Sequence, residues 1–188
     1  LAGYFLEKAI DISEDKLPGS VEGTVEVISE LFSVFVAFSI FTISWYSYDK
    51  SKNNRSLFLG MMFFLVGILI LFHLLSYPFM PEFFTPNSES KAAIFFIESR
   101  ILLAIMLLAS AYIHKDTLSV LFNKRVLISF TIVLTAIYFA SAFFYQDSSF
   151  VPYNIQGYSY TTVFLLSITT AAILYSCYRY FKEFQRNR

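Results

Sequence analysis

Four residues able to carry charge stand inside or at the edge of apolar runs: Glu30, His73, Glu98 and Arg100. Carboxylate, imidazole and guanidinium groups brought together can hold a polar ligand, or lock helices to one another by ion pairs. His73 is the most isolated of them, because the stretch from Leu57 to Pro81 contains no Asp, Glu, Lys or Arg. At about 1.5 Å per residue that stretch exceeds a hydrocarbon core of roughly 30 Å, so it can cross a bilayer with some tilt. An imidazole placed there has to face protein, water or a ligand.

Three roles are open to His73: a hydrogen-bonded interior histidine, a contact to a polar ligand, or a ligand to metal or haem. Metal sites usually gather several His, Cys or carboxylate groups at set spacing. Only Glu30 and Glu98, on other helices, could join His73, and His114 belongs at the opposite interface, away from a second axial haem position. No cofactor is therefore expected, with haem or metal at His73 as the alternative. Residues three or four apart share a helix face. Glu26, Glu30 and Ser33 form one stripe, and His73, Ser76 and Tyr77 form another. Glu98 and Arg100 are two apart and diverge, so one can face the first two helices while the other pairs elsewhere. An Arg100–Glu30 pair would lower the cost of burying each. Glu30, His73 and Arg100 are the leading candidates for a ligand pocket, followed by Tyr77, Glu98, Glu26 and Ser33; the same residues could instead be a purely structural ion-pair network.

The elements that must position these groups are membrane helices. Of 188 residues, 56% are hydrophobic and 15% charged, whereas a soluble domain carries about 25% charged residues. An all-α, polytopic transmembrane bundle is expected, with five spans: about Val25 to Tyr48, Leu57 to Phe79, Lys91 to Ile113, Val126 to Gln146 and Gly157 to Tyr180. Residues 1–24 form an acidic segment outside the membrane or at its surface, whose first six residues could be the end of a truncated sixth span. Residues 181–188 begin a cytoplasmic linker. The Leu at position 1 suggests a part excised from a longer protein.

Lys and Arg mark the connections after the first, third and fifth spans, and the other connections are acidic or neutral. The positive-inside rule then puts the N-terminal segment outside and the C-terminus in the cytoplasm of a multi-pass cell-membrane protein. Counting along each helix places Glu30 roughly 8 Å, His73 roughly 12 Å, and Glu98 and Arg100 roughly 10–14 Å from the outer end of their spans. All four are thus expected in one slab of the outer leaflet. Zero net charge without a basic face argues against nucleic acid as a partner. Cys177 excludes an intrachain disulfide, since it is the single cysteine, and its apolar setting suggests packing as a small hydrophobe. No phosphate-cradling glycine loop, nucleophile elbow or H-E-x-x-H is present, so this segment is not expected to be an enzyme.

Three stretches resemble the third class of membrane-associated sensor (MASE) domains. SELFSVFVAFSIF, residues 29–41, is similar to that family's E-x-x-S motif through Glu30 and Ser33. FLGMMFFLVGILILFHLLSYPFM, residues 58–80, is similar to its glycine-containing helix ending in His and Tyr-x-x-Met, through Gly60, His73, Tyr77 and Met80. FFIESRILLA, residues 95–104, is similar to its W-I-A-A-R element through Arg100. Glu26, Ile70 and Phe96 stand where that pattern carries His, Asp and Trp. The resemblance implies a receptor sensor domain that binds a small ligand and signals through its last helix to a cytoplasmic output domain of the same polypeptide, of histidine kinase or diguanylate cyclase type, in a homodimer. The alternative is a small membrane transport or redox protein that relays protons, ions or electrons.

Overall fold

A computed structural model describes residues 21–78, 80–82, 85–113, 124–145, 153–154, 157–158 and 160–186, without the side chains of 21–24, 26, 142–143, 145, 153–154, 157–158 and 161. The expected segment before residue 21, and His114, lie outside the described residues. Among the described residues the fold is made of five helices, each long and apolar enough to cross a membrane: α1 (Val21–Ser51), α2 (Asn54–Leu75), α3 (Glu89–Tyr112), α4 (Lys124–Tyr145) and α5 (Tyr160–Arg186). Between α4 and α5, β1 (Tyr153–Asn154) pairs antiparallel with β2 (Gly157–Tyr158).

The boundaries follow local chemistry. α1 runs past Tyr48 to Ser51, with Lys50 in the last turn where a cation suits the negative end of the helix dipole. Lys52 then adopts φ 49°, and its N–H donates to the Tyr48 carbonyl at 2.9 Å, which closes the helix with a left-handed residue. Asn53 immediately caps α2, its side chain accepting from the Ser56 N–H at 3.2 Å. The basic connection expected over residues 49–56 is therefore only Lys52 and Asn53. α2 ends at Leu75 rather than Phe79, because Pro78 disfavours helical geometry at Tyr77, and Ser76 serves as the cap.

α2 and α3 form the centre. α1 packs along α2, α5 packs on α3, and α4 leans more lightly on both. Val34, Leu65, Leu69, Ile94, Phe95 and Leu102 build the main core, and Leu57, Met61, Met62 and Leu127 build a second one nearer the α1–α2 link. The α1–α2 seam is tight: a methyl group on Gly60 would lie 2.4 Å from Ser44 Cβ. Phe32, Phe35, Ile132, Val133, Phe164 and Leu174 point away from the bundle, forming the apolar exterior that lipid requires. Cys177, expected to pack as a small hydrophobe, is exposed on α5 instead.

Candidate functional site

His73 lies in the last turn of α2 and is 5% exposed. Its Nδ1 is 2.7 Å from the carbonyl of Ala92 on α3, and its Nε2 is 3.1 Å from Glu30 Oε1 on α1. A carbonyl can only accept, so Nδ1–H is the donor of the first bond. The second contact needs one proton, and that proton serves both groups: imidazolium faces carboxylate, or imidazole faces carboxylic acid. The pair sums to zero charge either way, which lowers the cost of enclosing it. Ala92 allows the approach by being small at the α2–α3 contact.

Aromatic rings close the site. Tyr77 packs with its centroid 5.1 Å from that of His73 and its hydroxyl 3.4 Å from Nε2, and Phe96 packs at 5.4 Å. Glu30 itself is buried, and its Oε2 has no hydrogen-bond partner among the described residues. Three helices thus meet at one imidazole, with one carboxylate oxygen left over.

The other sequence-derived candidates are distributed differently. Arg100 does not pair with Glu30; its guanidinium lies 4.9 Å over the ring of Phe96 and reaches His73 only through that ring. Arg100 follows Ala92 by two turns of α3, about 12 Å along the axis. Glu98 turns to α4, where Ser141 Oγ meets its Oε1. Ser33 is exposed, and its hydroxyl donates to the Ser29 carbonyl of its own helix at 2.9 Å. The Glu26 side chain lies outside the described residues. The single slab expected for Glu30, His73, Glu98 and Arg100 is consequently two levels. Because α2 stops early, His73 sits in its last turn, level with Ala92 near the start of α3, while Glu98 and Arg100 lie about 9 and 12 Å further in.

Sequence reasoning missed three contributors. The Ala92 carbonyl is backbone and carries no sequence signal. Lys91, 1% exposed, donates to the Thr85 carbonyl and to Asn87 Oδ1, both at 3.2 Å, while Asn87 Nδ2 donates to the carbonyls of Met80 and Pro81; together they tie the α2–α3 connection to the site. Arg55, counted before only as a topology marker, places Nη1 2.8 and 2.7 Å from the two carboxylate oxygens of Glu183 on α5 and stacks 4.4 Å over Tyr180. Tyr180 in turn hydrogen-bonds Ser110 on α3. On the same side of the bundle, Lys124 meets Asp49 at 2.7 Å and lies 4.4 Å over Trp45.

Among the described residues no three His, Cys, Asp or Glu side chains cluster in a way that could hold a metal ion. Compared with known proteins, residues 24–188 match the sequence model of MASE3, the membrane-associated sensor domain. No curated protein and no solved structure matches the chain. The match takes in α2 to α5, all but the first three residues of α1 and every site residue just described, so the chain belongs to the MASE3 family of membrane-associated sensor domains.

Proposed function

We propose that this sensor domain binds a small molecule at the His73–Glu30 site, from the outer side of the cell membrane or from within its outer leaflet. The observation that carries this is the buried Glu30 Oε2, an acceptor without a partner among the described residues, beside an imidazole shared by α1, α2 and α3. A ligand that donates to that oxygen, or redistributes the shared proton, favours one packing of the three helices. It shifts the equilibrium by its difference in affinity for the two packings and by no more. The basic connections support a cytoplasmic C-terminus. α5, clasped through Glu183 and Tyr180 to α2 and α3, carries the change to an output domain of histidine kinase or diguanylate cyclase type in a homodimer.

Output activity of the intact receptor tests this with His73→Ala and Glu30→Gln. Both variants are expected to insert in the membrane like the wild type and to hold output at one fixed level. Wild-type output and response in both would remove these residues from the site.

A further inference from the structure

We propose that Glu98 and Ser141 form a proton-binding site between α3 and α4, separate from the His73 site, and that Glu98 is a neutral carboxylic acid when α3 and α4 are packed together. Hydrogen accounting leads there. Ser141 Oγ touches Glu98 Oε1 and also lies 2.8 Å from the carbonyl of Tyr138. A hydroxyl has one hydrogen, and a serine in a helix commonly gives it to a carbonyl one turn back. The contact between the two side chains then needs its hydrogen from Glu98. Protonated Glu98 donates to Ser141 Oγ, Ser141 donates to Tyr138 O, and both contacts are satisfied.

The surroundings favour the same state. Glu98 Oε2 is buried without a partner among the described residues; an unpaired carbonyl oxygen is tolerated far better in an apolar interior than an unpaired carboxylate. No Lys or Arg among the described residues compensates Glu98: Arg100, two residues along α3, is turned to the ring of Phe96. The titratable group facing Glu98 from α4 is Tyr138, and among the described residues no charged group of α2 or α5 acts on it. With Oε2 enclosed by protein atoms, a proton is the ligand that fits without moving a helix. Losing it would leave a carboxylate whose Oε2 has no donor among the described residues, beside α4, which leans only lightly on the centre.

Infrared spectroscopy of the purified domain in lipid nanodiscs reads this directly. The difference between wild type and Glu98→Gln at neutral pH should contain the carbonyl stretch of a carboxylic acid, and Ser141→Ala should shift that band. A difference spectrum with a carboxylate band instead, or an acid band that Ser141→Ala leaves in place, overturns the assignment. This readout does not depend on His73, so the fate of the ligand site leaves it untouched.

Discussion

At the His73 end of the bundle, one proton serves an imidazole and a carboxylate from two helices and leaves Glu30 Oε2 unmet. At the other end the Arg55 guanidinium is held by both carboxylate oxygens of Glu183 and by the face of Tyr180. The first arrangement depends on a single imidazole that joins α1, α2 and α3. The second pairs one guanidinium nitrogen, Nη1, with both carboxylate oxygens and stacks on Tyr180, while Nε and Nη2 are buried without a partner among the described residues. Both ends thus leave buried polar atoms unmet, but the first hangs on one ring shared by three helices and the second on a charge pair backed by an aromatic face.

Substitutions can break the contrast, beginning with the largest expected effect. His73→Ala strands the Ala92 carbonyl and Glu30 in the interior and should lower unfolding free energy in detergent micelles by about 3 kcal/mol. Arg55→Ala should cost about 2 kcal/mol by the same measurement, less because the Glu183 side chain is 33% exposed and recovers water. A cycle with Glu183→Ala should return positive coupling; independent, additive effects would mean that the clasp is not one unit. Gly60→Ala tests the seam that joins the two ends. The added methyl meets Ser44 and should cost about 1–2 kcal/mol, whereas at Gly67, where the nearest atom would lie 3.2 Å away, the same change should cost under about 1 kcal/mol. The smallest effect is expected at Lys52→Gly, within about 1 kcal/mol, as relief of the left-handed backbone is offset by a more flexible unfolded chain.

The sequence announced the fold more fully than the site. Long charge-free runs and aromatic or basic flanks sufficed for five helices, because lipid leaves a chain few other ways to satisfy its backbone. Their ends were less legible. The second span was expected to run to Phe79, but Pro78 keeps Tyr77 out of helical geometry and α2 stops at Leu75. The grouping of Glu30, His73 and Tyr77 was visible from spacing on two helices. The partner that completes it was not, since a backbone carbonyl such as that of Ala92 has the same sequence signature as any other. Arg100 was expected beside Glu30 because opposite charges in lipid should meet. His73 takes that carboxylate, and Phe96 takes the guanidinium. The divergence of Glu98 from Arg100 did follow from their spacing, and Ser141 is where it leads.

The link of Lys52 and Asn53 has a mechanical consequence. A hairpin with so little slack cannot let one arm piston past the other by a helical turn, about 5.4 Å. Displacement of Glu30 relative to His73 must instead become a scissoring of the two arms about that pivot. Asp49 and Arg55 sit beside the pivot and grip α4 and α5 respectively. Motion at the far tips would therefore arrive there as a small rotation with high leverage.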